Sequence, residues 1–287
     1  MRLVIALDLG TTGCRAVAFD EAGGLVASHY LEYGVSHPEP GAAEQEAEGW
    51  WSASRACVKA VVAQLGDPNQ VAGIGVSAQG HSWVPTDADF RPLRPALTWL
   101  DTRASAVARE LLQQRGLPFW GHRAGKAPGP WHALCQLIWL RTQEPQIALI
   151  AARYLFAHDF LVARLTGVAA TDFTTAAGSL LLNLREFEWD RALGFEYGVD
   201  VRRFAPVQAA ATVAGSLLRD VAADLGLTVG IPVAVGAQDQ KCAALAAGLE
   251  EGVATISLGT STAIAALSRQ PAFDEATRIP CFPYLAR

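Results

Sequence analysis

A chain of 287 residues, 51% of them hydrophobic, can bury one large core or one domain with part of a second, which excludes a disordered polymer. The net charge is -5 and the 23 Lys and Arg are scattered, so no basic stripe faces a nucleic acid or an anionic membrane and a small-molecule partner is expected. Cys14, Cys57, Cys135, Cys242 and Cys281 are too widely spaced for structural zinc.

The first apolar run, Leu3 to Leu7, breaks at Asp8, too early for a signal peptide or a membrane span, so a cytoplasmic protein is expected. It reads as a strand ending in the turn Asp8-Leu9-Gly10-Thr11-Thr12-Gly13, with further strands over Arg15 to Phe19 and Leu25 to Tyr30. This β-meander is an antiparallel start that a dinucleotide-binding βαβ unit lacks. A helix is expected over Glu44 to Gln64, then a buried strand from Val71 to Ser77 that runs into Ala78-Gln79-Gly80-His81. A strand at Ala96 to Leu100 and helices over Ala104 to Gln114 and Ala133 to Thr142 follow. The apolar stretch Ile147 to Leu165, broken by Arg153, His158, Asp159 and Arg164, reads as a buried amphipathic helix. Strands are expected at Leu180 to Leu184 and Val233 to Val235, and an Ala-rich helix over Gln240 to Leu249 could join two domains. The class is mixed α/β. Leu9-Gly10-Thr11-Thr12 recurs as Leu258-Gly259-Thr260-Ser261, each after a short apolar strand, which would set two Gly-Thr turns across a cleft.

Three sets of residues could carry chemistry. The turn Gly10-Thr11-Thr12 exposes backbone N–H groups and hydroxyls suited to phosphate oxygens, and Asp8 could hold a hydrated magnesium ion; a plain turn is the other reading. Asp239, after a buried strand and at a helix start, has the placement of a catalytic base or of a helix cap. Gln79, His81, Asp101 and Arg103 follow two strand ends and could converge on a hydroxylated ligand, although a satisfied core histidine and a surface Asp101–Arg103 ion pair are ordinary alternatives.

In chain order, Ala6-Leu7-Asp8-Leu9-Gly10-Thr11-Thr12, Gly73-Ile74-Gly75-Val76-Ser77-Ala78-Gln79-Gly80-His81, Trp99-Leu100-Asp101-Thr102-Arg103, Asp159-Phe160-Leu161, Gly236 to Asp239 and Ser257 to Ser261 resemble the FGGY family of carbohydrate kinases. The resemblance implies an actin-like ATPase, ribonuclease H-like fold of two domains, the first complete over residues 1–245 and the second, the nucleotide-binding one, only begun over 246–287. It implies ATP and Mg2+ as cofactors and phosphoryl transfer to a sugar hydroxyl, with a ketopentose such as D-xylulose expected. In that frame Asp239 is the base, Asp8 and Asp239 face magnesium, Gly10, Thr11 and Thr12 with Gly259, Thr260 and Ser261 bind ATP phosphates, and Gln79, His81, Asp101 and Arg103 line the sugar pocket. A sugar-binding or regulatory piece without turnover and an actin-like ATPase or chaperone module are the alternatives, and the assembly allows a homodimer. Gly80, Ser82, Gln136 and Gln238 depart from the usual pattern, and no Gly-rich adenosine segment follows Leu267.

Overall fold

The computed structural model describes residues 2–258 and 262–285. Its core is a six-stranded sheet of β1 (Leu3–Leu9), β2 (Gly13–Asp20), β3 (Leu25–Glu32), β4 (Val71–Ala78), β5 (Val213–Ser216) and β6 (Pro232–Gln238). The strands lie in the order β5-β6-β4-β1-β2-β3. β1 pairs antiparallel with β2, and β2 with β3, as the meander pattern requires. β4 then pairs parallel with β1, and β6 parallel with β4. Three strands therefore end at the same edge of the sheet, the place where α/β sheets bind ligands.

Alternation explains the sheet. Leu3, Ile5, Leu7 and Leu9 point to one buried face, as do Cys14, Ala16 and Ala18 on β2. Helix α1 (Ala47–Val62) covers that face with Trp50, Cys57, Val58 and Val61, and helix α2 (Ala157–Thr166) adds Phe160 and Leu161. Trp50 and Phe160 meet edge to face with centroids 6.2 Å apart.

A second layer holds a four-stranded antiparallel sheet in the order Glu44–Gln45, Ala96–Leu97, Trp83–Thr86, Arg153–Phe156. Its core gathers Trp83, Trp120, Leu134, Leu137, Leu140 and Phe156. The structure corrects several expected boundaries here. Glu44 and Gln45 form a strand, not a helix start, and the helix begins at Ala47. Ile147 to Leu165 is not one helix: the end of a short helix (Pro145–Ile150), the strand Arg153–Phe156 and α2 divide it, because Trp83–Thr86 offers a sheet edge that an apolar run satisfies as well as a helix would. The helix expected to stop at Gln114 runs from Ser105 to Ala124, broken at Gly116, whose φ of 75° is not helical. The strands expected at Ala96 to Leu100 and Leu180 to Leu184 shrink to Ala96–Leu97 and Leu182–Asn183.

Past β6, helix α3 (Asp239–Ala246) leads to an antiparallel hairpin of β7 (Ala254–Leu258) and β8 (Thr262–Ala266). Leu9 pairs with Cys14 around the first Gly-Thr turn, and Leu258 pairs with Thr262 on either side of the second Gly-Thr segment, so both copies of the echo are flanked by paired antiparallel strands. Gly259, Thr260 and Ser261 lie outside the described residues. Ile256, Leu258 and Ile264 on this hairpin are exposed. No helix among the described residues is long and apolar enough to cross a membrane.

Candidate active site

The parallel register assembles the site. Asp8 on β1 lies opposite Ser77 on β4, and Ala78 opposite Gln238 on β6, so Asp8, Ser77 and Asp239 reach one edge although they are far apart in sequence. Ser77 Oγ donates to Asp8 Oδ1 at 3.1 Å. Burial pushes the Asp8 carboxyl above the usual range, against the pull of Ser77 and Arg15. Burial likewise lifts Asp239 to about 6; the Gln240 N–H and Lys241 oppose this, and the charge of Asp8 adds to it. Asp239 is the first residue of α3 and Gln238 is its N-cap without a side-chain cap bond, so Asp239 is not serving as the cap. Among the described residues its Oδ1 accepts from the adjacent Gln240 N–H alone, at 2.7 Å.

A β-bulge aims this carboxylate. Between Ala234 and Ala237, β6 carries one more residue than β4 opposite, and the extra length falls at Val235-Gly236. A Cβ at Gly236 would stand 1.6 Å from the Val76 carbonyl oxygen, so only glycine fits. The Gly236 N–H that the bulge frees donates to His158 Nε2 at 3.0 Å. His158 must then carry its proton on Nδ1, where it donates to Asp159 Oδ1 at 3.0 Å. Both residues are buried. His158 and Asp159, in the first turn of α2, thus hold the strand end that presents Asp239. In the sequence they show as a polar break in an apolar run, and Asp159 also as part of the Asp159-Phe160-Leu161 motif.

His81 follows β4 and is buried, with no partner at Nε2 among the described residues. Burial, with Lys126 and Lys241 nearby, lowers its pKa to about 3, so the ring is neutral. It packs on Gly178, where a Cβ would fall 1.7 Å from the imidazole. Lys126, also buried, donates to the carbonyls of Ala124 and Ala177 at 2.8 and 2.9 Å. Phe282 lies parallel to His81 with centroids 5.9 Å apart, and Lys126 and Lys241 approach its ring to 4.1 and 4.6 Å. Neither lysine nor Phe282 was singled out from sequence, because nothing local marks them.

Gln79 stands beside this group but its amide is engaged: Nε2 donates to Gln45 Oε1 at 2.8 Å and Oε1 accepts from Ser82 at 3.1 Å. Gln45 in turn donates to the Thr11 carbonyl at 2.7 Å, and Trp99 donates to Thr11 Oγ1 at 2.8 Å, so Gln79 and Thr11 belong to one network. Thr12 is exposed, and the Gly10 N–H closes the turn onto Gly13 O at 2.9 Å. Asp101 and Arg103 form a buried network, not a surface ion pair. Asp101 accepts from Ala43 N and from Arg103 at its backbone N, Nε and Nη2, while Arg103 reaches Glu44 and Glu39 and lies 4.4 Å over the Trp139 ring. Arg94 joins them through Glu44. These contacts brace the strand that carries Glu44 and Gln45.

The sheet order, with its antiparallel meander and parallel second half, defines an actin-like, ribonuclease H-like fold, and solved structures agree. The xylulose kinase from Lactobacillus acidophilus superposes with a TM-score of 0.93 at 24% identity over 99% of this chain and 58% of that one. The xylulose kinase from Rhodospirillum rubrum gives 0.90 at 26%, over 94% and 56%. In sequence, the chain is 31% identical over 271 residues to the xylulose kinase of Lactococcus lactis, 93% of this chain and 53% of that one. It is 30% identical to the glycerol kinase of Thermococcus gammatolerans, over 92% and 54%. Residues 3–246 match the model for the N-terminal domain of the FGGY family of carbohydrate kinases, and the chain belongs to that family. It spans about half the length of the curated relatives it matches.

Proposed function

We propose that this chain carries the sugar-binding and catalytic part of an ATP-dependent carbohydrate kinase, with residues 1–245 forming that unit and residues 246–287 opening the nucleotide-binding one. The observation that carries this reading is Asp239: a carboxylate at the parallel edge of the sheet, facing Asp8 and lifted to about 6 by burial. A base poised there is ionised at neutral pH yet still takes a proton. Asp239 accepts the proton of a sugar hydroxyl as that oxygen bonds to the γ-phosphorus, and the bond from phosphorus to the ADP oxygen breaks.

Magnesium fits the two carboxylates. The described residues hold no cluster of three or more metal-ligating side chains, and magnesium normally takes one or two carboxylates and fills its remaining positions with water and phosphate oxygens. Asp8 and Asp239 would hold it, and when bound it offsets the charge of the transferred phosphoryl group. The turn Gly10-Thr11-Thr12, with the N–H groups and hydroxyls of Thr11 and Thr12 as donors while the Gly10 N–H closes the turn, receives the ATP phosphates together with Gly259, Thr260 and Ser261. His81 offers its unpaired Nε2 to a sugar hydroxyl, and Gln79, Asp101 and Arg103 support the wall on which it stands. A ketopentose such as D-xylulose is the substrate, in keeping with the names of the relatives. A small-molecule sugar and ATP are thus the partners, and a homodimer is compatible with the reading.

Calorimetric titration of this chain with D-xylulose, D-ribulose, L-ribulose, D-gluconate and glycerol tests the sugar site. Binding of D-xylulose in preference to glycerol is expected. A folded chain silent across the panel would remove the assignment.

A further inference from the structure

Three basic side chains from three separate elements converge on one aromatic ring. His81 follows β4, Lys126 follows the long helix of the second layer, and Lys241 lies in the first turn of α3. The ring is that of Phe282, from the segment beyond the β7–β8 hairpin. Hydrogen bonds from Cys281 N to Gly125 O at 2.8 Å and from Tyr284 Oη to Leu249 O at 3.3 Å pin that segment on either side of Phe282. Between Leu267 and Pro280 the chain has no regular secondary structure and is largely exposed; Phe273 packs on Gly121, and Phe282 docks at the pocket.

The contacts at this ring are chemically unlike one another. The imidazole of His81 lies parallel to it, tilted by only 8°, so Phe282 stacks on the histidine and does not engage Nε2, which has no partner among the described residues. The two ammonium groups instead meet the ring by cation–π contact. Lys126 is buried, and its hydrogen bonds go to two main-chain carbonyls; no carboxylate among the described residues pairs with it. Burial lowers the Lys126 pKa to about 7 and lowers that of Lys241, so Lys126 holds its proton only part of the time at neutral pH, and an anion that reaches the site draws out the charged form. The Phe282 ring stands against that ammonium and gives it a weaker, neutral partner.

We infer that Phe282 is a specificity-determining residue of the sugar pocket: its ring forms a wall beside His81 and screens Lys126 and Lys241, so the site selects neutral sugars over sugar acids of similar size. The inference rests on the sugar-kinase reading of this site. The wall acts in two ways. It offers an apolar face to the C–H side of a sugar ring or chain, as aromatic walls of small-molecule sites do, and it keeps two positive charges from rewarding a carboxylate. Specificity here is a difference of affinities, so removing the ring should change the ratio between substrates more than it changes either affinity.

The test is calorimetric titration of the full chain with D-xylulose and D-gluconate, in the wild type and in the Phe282→Ala and Phe282→Tyr variants, with thermal unfolding of each as a check on folding. The wild type is expected to favour D-xylulose at least tenfold. In Phe282→Ala the ratio should move at least tenfold toward D-gluconate, and Phe282→Tyr, which keeps the ring, should restore it. Adding Lys126→Met to Phe282→Ala should cancel the gain for D-gluconate, since that gain comes from the uncovered ammonium. A wild type that binds D-xylulose, with a ratio that Phe282→Ala leaves unmoved, overturns the inference and leaves the kinase reading standing. Tighter D-xylulose binding in Phe282→Ala, showing that the ring occupies the sugar's own place, overturns it as well. If the folded wild type binds neither ligand, the kinase reading and this inference fall together.

Discussion

Two groups of charged residues in this protein are treated in opposite ways. Around Asp101 the carboxylates are matched: Asp101, Glu44 and Glu39 are paired with Arg103 and Arg94 beside the Trp139 ring, and one Arg94 nitrogen, Nη1, is left without a partner among the described residues. At the edge of the central sheet, Asp8 accepts from one hydroxyl and Asp239 from one adjacent N–H, the charge of Asp8 is felt at Asp239, and both carboxyls are pushed upward. The first arrangement is what stability asks of buried charge. The second leaves proton affinity and coordination unspent, which chemistry needs and stability alone would not retain.

The largest effect that separates the two comes from Asp239→Asn. In the complete kinase it should lower kcat by about 100- to 10,000-fold while sugar affinity stays nearly unchanged, measured by coupled assay and calorimetry. Retained turnover would move the base elsewhere. Asp101→Ala should act on the other ledger: it leaves Arg103 without its main partner and should destabilise folding by about 3–5 kcal/mol in denaturant titration. If Asp101→Ala instead lowers kcat at full stability, the division drawn above is wrong.

Gly178→Ala sharpens the sugar side. The added methyl falls inside the His81 ring, so the imidazole must shift, and sugar affinity should weaken by about tenfold with little change in melting temperature. A smaller effect concerns pH. The folded chain binds the Asp239 proton more tightly than the unfolded chain does, so ionised Asp239 opposes folding at pH 7. Asp239→Asn should therefore raise stability at pH 7 by on the order of 1 kcal/mol, a gain that shrinks as pH falls through 6 and is gone near 4. The smallest effect is Asp8→Asn: removing the neighbouring charge should lower the Asp239 pKa, and the fall of sugar binding-linked proton uptake with pH should move to lower pH. No movement would show that the two carboxylates do not face each other.

Much of this was legible in the sequence. The β-meander followed from alternation in Leu3 to Leu9 and the following strands, and the family from the order of short motifs around Asp8, Gln79, Asp101 and Asp239. Misreadings arose where tertiary partners override local pattern. Glu44 and Gln45 look helical but are drawn into a strand beside Ala96–Leu97, where both side chains anchor networks. The run from Ile147 to Leu165 carries one apolar pattern and is divided among three elements, because a buried segment gives no polar face to distinguish strand from helix.

What the amino-acid sequence determined by itself is local: alternation sets the strands, glycines set the turns, and motif order sets the family. What only the tertiary structure decided is which distant groups meet. The parallel pairing of β1, β4 and β6 brings Asp8 to Ser77 and Asp239, the bulge exposes an N–H that His158 receives, and packing from three elements sets His81, Lys126 and Lys241 around Phe282. The reason is physical: a side chain's charge and reactivity depend on its burial and neighbours, and those are properties of the folded arrangement, not of any window along the chain.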